Sequence, residues 1–383
     1  MLKIHTKAVF NPFYLYSISN IFVLVVYNFN WSNLLPALNY ELKLFLYISS
    51  LVMVVLGYVS GYLKLIPHYR SISVTHNSHR VFYFLIAIGL VELINNGGIP
   101  LLMLGGRNYD YMQFGIKTIH PIYFTFLSFY TVYLFYLYLS TKNKSILYQL
   151  FLLALYPILI MNRGAFLING TAMLLVYLIS IRTIKINNII LLPLILSIFM
   201  FLFGMAGDLR SGGTNVLVSY FEPSDTFIKS HIPYEFLWPY IYITSPLGNL
   251  QETINNGIAS NVYYDLLILQ SFVPDFISKH IEFQGNSLSR IAPFLSVGGV
   301  YSLAYVNMGW FGILTMFLFV TVFVLLFLVF LPRNTPYTIP GIAIVSTLVI
   351  YNIFDNMIVF SGLSVQLLYP LIMGFLYKHK IRL

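Results

Sequence analysis

The sequence predicts an all-α, polytopic transmembrane bundle of about ten spans, and three observations carry that prediction. Apolar residues make up 58% of the 383-residue chain and charged residues only 9%, against roughly 25% in a soluble domain. Mean hydropathy is +0.80. Long apolar runs recur from end to end, with no internal repeat, phosphate-binding glycine loop or His-Glu-x-x-His helix among them. The chain, 1–383, therefore reads as a single integral membrane domain in which 207–308 is the one large polar segment.

A span needs about 20 mostly apolar residues. In order, the candidate runs are 13–30, 42–63, 81–95, 119–140, 145–161, 164–181, 188–206, 309–331, 338–353 and 357–377; the third, fifth and ninth are short. The first follows Lys3 and Lys7 as a secretory signal would. No small-residue cleavage site follows it and more spans do, so it reads as a retained helix. Ten crossings put both termini on one side. With the termini in the cytoplasm, the inner connections hold Lys3, Lys7, Lys64, Arg70, Arg80, Lys142, Lys144, Arg182, Lys185, Arg333, Lys378, Lys380 and Arg382, which is 13 of the 21 basic residues. All twelve acids fall outside or near an outer helix end. The orientation rule counts Lys and Arg, and every inner connection carries at least one. This threading places 207–308 on the outer face of the plasma membrane.

Several function classes drop out. The net charge of +9 is too dispersed for a nucleic-acid groove, its densest run being the tail Lys378-His-Lys380-Ile-Arg382. The chain has no cysteine, which removes disulfides, thiolate nucleophiles and Cys-ligated metals. No inner connection exceeds about twenty residues, so no cytosolic nucleotide-binding domain fits.

Segment 207–308 opens with Gly207-Asp208-Leu-Arg210-Ser-Gly-Gly and nears its end with Gly285-Asn-Ser-Leu-Ser-Arg290-Ile-Ala-Pro293. Val262, Leu266, Leu269 and Phe272 recur at helical spacing, predicting an amphipathic helix that stops before Pro274. Another begins within 235–243, where Pro239 is expected to kink it. Such helices are expected to lie at the membrane surface and frame a pocket. A shorter outer connection, from Gly97 to Asp110, has the Gly and Pro content of a re-entrant turn.

Four outer arginines, Arg107, Arg163, Arg210 and Arg290, are candidates for an anionic ligand. A guanidinium donates two parallel hydrogen bonds and keeps its proton, which suits phosphate. The competing reading of each is a side chain snorkelling to headgroups. Arg210 and Arg290 both sit in Gly/Ser turns whose backbone N–H groups can approach an anion, and there the functional reading is favoured. His120, His231 and His280 each stand alone, without metal-site spacing, and read as packing or surface residues. Asp208, Glu222, Asp225 and Glu252 are open as general bases, or as solvated acids. Trp238 and Tyr242 belong to an aromatic run whose rings suit sugar faces or an interfacial belt.

Four stretches taken in order resemble a family. Asn162-Arg163-Gly-Ala between two spans, Gly207-Asp-Leu-Arg210-Ser-Gly, Tyr242-Ile-Thr-Ser-Pro-Leu-Gly-Asn249-Leu and Asn307-Met-Gly309-Trp-Phe-Gly312 look like the bacterial O-antigen/oligosaccharide repeat-unit polymerases, the Wzy type. The resemblance implies a glycosyltransferase acting on undecaprenyl-diphosphate-linked oligosaccharides, with O-antigen or capsule-like polysaccharide as product. An acceptor hydroxyl attacks the donor's anomeric carbon and expels the lipid diphosphate, a weak base that needs charge stabilisation more than a proton. The resemblance implies no cofactor and no metal. It puts Arg210 and Arg290 at the diphosphates and leaves the base open among Asp208, Glu252 and His280. Arg163, Arg107, Trp238, Tyr242 and Asn249 become substrate contacts. Membrane lipids are the surroundings, a chain-length regulator protein is compatible, and nucleic acid is not a partner.

Three rivals stand beside it. An O-antigen ligase shares the architecture. A membrane O-acyltransferase calls for a histidine set against a hydroxyl, which no spacing here displays. A lipid-linked oligosaccharide flippase calls for charged or broken midplane helices and repeat symmetry, which the spans lack.

Overall fold

A computed structural model describes residues 3–5, 10–72, 78–103, 114–181, 183–185, 194, 197–198, 200–205, 207–208, 219–257, 264–281 and 287–379, with 3–5, 78, 163 and 183–185 described as backbone alone. Among these residues the architecture is helical, apart from one antiparallel ladder pairing β1 (Lys3–His5) with β2 (Thr183–Lys185). The longer helices are α1 (Pro12–Tyr27), α2 (Tyr40–Tyr62), α3 (Ser78–Asn95), α4 (Ile119–Thr141), α5 (Lys144–Leu159), α6 (Arg163–Ser180), α7 (Leu237–Asn255), α8 (Ser302–Phe330), α9 (Thr338–Tyr351) and α10 (Leu368–Lys378).

Among the described residues, four stretches are long and apolar enough to cross a membrane: Tyr40–Tyr62, His79–Met103, Ile119–Thr141 and Ser302–Phe330. Pro12–Tyr27, Lys144–Leu159, Gly164–Ser180 and Thr338–Tyr351 are apolar but shorter. The run expected at 188–206 lies largely outside the described residues, and its described part, 200–205, is helical. The run expected at 357–377 is broken into short turns at Ser361–Ser364 and Val365–Leu367 before α10 begins.

Local chemistry explains several boundaries. Asn11 caps α1 by accepting the Phe13 N–H at 3.1 Å, with Pro12 at the first helical position. The same side chain donates to the Gly57 carbonyl and Ser60 Oγ at 2.9 Å, and Ser17 Oγ donates to the Ser50 carbonyl at 2.7 Å. Polar groups between apolar helices thus fix how α1 meets α2. At the centre, α9 is buried from Thr338 to Val349. A helix apolar all round has to be enclosed, and α9 is enclosed by α1, α4, α6 and α10.

A break interrupts α8 at Met308 and Gly309, where Gly309 takes φ +57°. A Cβ on Gly312 would lie 2.0 Å from the Ala304 carbonyl oxygen, so the two limbs close on each other through a glycine. The stretch Asn307 to Gly312 therefore marks a corner rather than the start of a straight span.

The helices alternate in direction, and the acids gather at one end, where Lys43, Lys117, Lys229, Lys279 and Arg290 also stand. Tyr136 Oη donates to the Arg70 carbonyl at 2.6 Å and Arg70 Nη1 to Asn334 Oδ1 at 3.0 Å. These bonds gather the connections after α2, α4 and α8 at one end. Lys64, Arg70, Arg80, Lys142, Lys144, Arg333 and Lys378 stand there. Glu41, Glu92, Asp208, Glu222, Asp225, Glu235, Glu252, Asp275 and Asp355 stand at the opposite, acidic end.

Replacing Gly312 by Ala is expected to lower the melting temperature of detergent-solubilised protein, since backbone has to move. Ala at Gly170, a helical position with no atom within 4 Å of the added methyl, is expected to leave it unchanged or raise it, by up to about 1 kcal/mol of helix propensity. Equal melts for the two variants would remove the corner argument.

Candidate functional site

The polar segment is stitched into the acidic end from both sides. Asn33 N–H donates to the Glu222 carbonyl at 2.8 Å, Ser224 N–H to the Trp31 carbonyl at 3.0 Å, and Ser32 Oγ to the Phe221 carbonyl at 2.6 Å. These tie 221–224 to the α1–α2 connection. Across the bundle, Gly299 N–H donates to Phe354 O at 3.0 Å, Val300 N–H to Asn352 O at 2.9 Å and Asp275 N–H to Val359 O at 3.0 Å. These tie 275–300 to the α9–α10 connection.

Between the two seams runs α7, and it corrects one expectation. Pro239 does not kink it, because Pro239 falls in the first turn, where its missing N–H leaves no helical bond unmade. Its polar face is enclosed by protein. Thr244, Asn249, Gln251 and Thr253 are fully buried, and α7 packs against α1 and α8. The expected helix ending before Pro274 is present from Tyr264 as a short α-turn followed by a π-turn, Ile268–Phe272; its start falls outside the described residues. It packs against α8, where the Phe272 and Phe319 ring centroids are 4.7 Å apart.

At its N-terminal end α7 carries a cluster of rings. Trp238 Nε1 donates to Asp208 Oδ1 at 2.8 Å, and the Trp238 ring meets Phe221 edge-on at 4.8 Å and Tyr242 at 6.3 Å. Tyr242 stacks on Phe354, and Phe221 continues to Phe294 and Tyr220. Tyr242 is 39% exposed, Phe294 46% and Tyr220 53%, so the cluster offers open ring faces. One turn along, burial pushes the Tyr240 phenol up to about 12, with the Trp31 N–H opposing the shift. At neutral pH it is a neutral hydroxyl that holds a loop.

The structure brings Asp208, Trp238 and Tyr242 together directly. Arg290 is exposed, and its hydrogen bond among the described residues runs 3.5 Å from Nη1 to the Pro293 carbonyl; Phe294, four residues on, meets Phe221 of the ring cluster. Glu252 is half-buried at the other end of α7, fourteen residues from Trp238 and hence about 20 Å along the axis. Asp208 and Glu252 therefore cannot serve one reacting atom. His280 is exposed after the short helix Asp275–Ser278. Arg163 is the first residue of α6, behind the Asn162 cap on Ala165 N–H at 3.0 Å. Arg107 and Arg210 lie outside the described residues.

Asn249 is fully engaged within the protein. Its Nδ2 donates to the carbonyls of Leu295 at 2.8 Å and Val297 at 2.7 Å, and its Oδ1 accepts the Ile291 N–H at 2.9 Å. It holds the strand-like stretch that carries Arg290 and Phe294 against α7.

One arrangement was missed by sequence reasoning. His120, expected to be a lone packing residue, places Nδ1 2.9 Å from Oε2 of Glu92. Glu92 is wholly buried and also accepts from Tyr156 Oη at 2.8 Å. The signal available was a carboxylate inside an apolar run, which marks a functional group by default. Among the described residues no group of three or more His, Cys, Asp or Glu side chains could hold a metal ion. Comparisons with protein-family models, curated proteins and solved structures find no match for this chain.

Asn249→Ala is expected to cost about 3 kcal/mol, from three lost hydrogen bonds and the carbonyls left bare. It should expose 287–300 to limited proteolysis. An unchanged melt and cleavage pattern would show that the segment is held elsewhere.

Proposed function

We propose that this protein is a membrane glycosyltransferase that joins lipid-diphosphate-linked oligosaccharide repeat units into a surface polysaccharide. In this reading the chain crosses the bacterial plasma membrane about ten times, with both termini cytoplasmic and the acidic end outside. The basic end then faces the cytoplasm, as the positive-inside bias requires. The observation that carries the proposal is the open ring cluster that joins Trp238, Tyr242, Phe221 and Phe294 around Asp208, with an exposed Arg290 four residues before Phe294. Aromatic faces stack on sugar rings, and an exposed guanidinium donates to phosphate oxygens. A substrate with a glycan on a lipid diphosphate presents both groups side by side at headgroup depth.

In the reaction, an acceptor hydroxyl on one repeat unit attacks the anomeric carbon of the growing chain, and the bond from that carbon to the lipid diphosphate breaks. In this reading Arg290, Arg210 and Arg163 balance the charge that develops on the departing diphosphate. Arg107 belongs to the same set in this reading. The ring cluster orients the sugars, and Asn249 acts by holding the Arg290 stretch rather than by touching substrate.

A second reading is favoured by one observation. A histidine set on a carboxylate, as His120 is on Glu92, also suits a membrane O-acyltransferase or a ligase that transfers to a hydroxyl.

A strain lacking the protein is expected to make surface glycan one repeat unit long, and the restored gene to return the ladder. Long chains stranded on the lipid carrier would instead identify a ligase, and a full ladder lacking acyl groups an acyltransferase. Arg290→Ala is expected to abolish the ladder, and Arg290→Lys to restore it only in part. A full ladder from the Lys variant would overturn the bidentate contact with phosphate.

A further inference from the structure

We infer that Asp208 is the positioning residue of the ring cluster: through Trp238 it sets the exposed Tyr242 face that receives the glycan, and it is not the base. The inference deepens the transferase reading above and rests on it. The described residues 200–205 and 207–208 lie along the first turns of α7. Two glycines carry that approach. A Cβ on Gly204 would collide with the Glu235 carbonyl oxygen, and one on Gly207 would fall 2.6 Å from the Trp238 indole. With no side chain at either point, backbone closes directly on α7. Rings complete the contact: the Phe201 and Phe236 centroids are 6.0 Å apart, and Phe203 meets Tyr242 edge-on at 5.4 Å.

Asp208 fastens this seam with the 2.8 Å bond that its Oδ1 accepts from Trp238 Nε1. An ionised acceptor makes a stronger bond than a neutral one, and an indole has a single donor, so this bond decides how the ring is turned. Trp238 is the hub of the cluster. Tyr242 lies 6.3 Å from it and is held from two further sides, by Phe203 and by Phe354, which stacks at 6.4 Å and within 3° of parallel. Three elements thus fix one phenol ring that stays 39% exposed. On the other side Phe221, edge-on to the indole at 4.8 Å, leads to Phe294 at 6.0 Å.

A sugar that stacks on such rings gains little from each contact, and a ring already held in its binding orientation spares the cost of ordering it. A carboxylate that turns the indole therefore acts on how tightly the glycan is held. A base has to present its oxygen to the attacking hydroxyl. Asp208 instead spends Oδ1 on the indole edge, beside the glycine that lets the two chains meet.

The test uses the purified full-length protein in lipid nanodiscs, with lipid-linked repeat units extracted from the strain that lacks it. Chain extension gives kcat and KM, and a fluorescence titration with the same units gives Kd. Asp208→Ala is expected to raise KM and Kd about 10-fold, the loss of one charge-assisted hydrogen bond, with kcat held within about 2-fold. Asp208→Asn keeps an oxygen acceptor without the charge and is expected to recover most of that loss. Gly207→Ala, which pushes on the indole, is expected to raise KM in the same way. A fall of about 100-fold in kcat for Asp208→Asn at unchanged KM would make Asp208 a base and overturn the assignment. So would an Asp208→Ala variant whose KM and Kd match wild type, or one that loses its fold, since the bond is then a structural clip. Wild-type protein that binds the units yet builds no chain would sink the transferase reading, and the Kd comparison would still decide the role of Asp208.

Discussion

Each polar group placed within apolar helices has to find its partner in the protein, because the hydrocarbon around them offers none. This protein carries about a hundred residues of polar segment between apolar runs, and the constraint decides where that segment goes. Thr244 and Thr253 bond back to the carbonyls of Tyr240 and Asn249 at 2.7 Å, Gln251 Oε1 accepts the Asn39 N–H at 2.9 Å, and Asn249 spends its amide on 291–297. With those bonds made, α7 can sit inside the acidic end instead of floating on it. The open rings of its N-terminal turns and the exposed Arg290 follow from that placement.

The helices were legible because hydropathy sets their length and caps set their ends. Runs expected at 42–63 and 119–140 differ from the observed helices by a residue or two. Gly309 was the expected start of a span, yet the corner there, folding Ala304 against Gly312, depends on a contact that a run of apolar letters does not encode. The partners of α7 were not legible for a physical reason. Its sequence mixes Asn, Gln and Thr with aromatic residues, a composition that fits a wet surface until those polar groups are seen to bond the backbone of neighbouring segments.

The candidate site was legible in part. Trp238, Tyr242 and Asp208 were picked by residue type and position, and the structure groups them. Asn249 was picked from the same stretch and turns out to be a bracket for the chain around Arg290. Glu92 and His120 are twenty-eight residues apart on different helices, with Tyr156 on a third, so no spacing rule could join them. Only the packing of α3, α4 and α5 brings them to one point.

The unsatisfied buried atoms sharpen the weight of that point. Among the described residues they include Ser50 Oγ, Tyr133 Oη, Gln149 Oε1, Asn352 Nδ2, Gln366 Nε2 and Glu92 Oε1. Asn352 lines a cavity of about 30 Å³ together with Asn20 and Tyr16, room for a single water that would satisfy it. A neutral hydroxyl or amide left unpaired costs about 1–3 kcal/mol, and a carboxylate more. Glu92 is the charged member of this set, with Oε2 shared by Tyr156 and His120 and Oε1 bare.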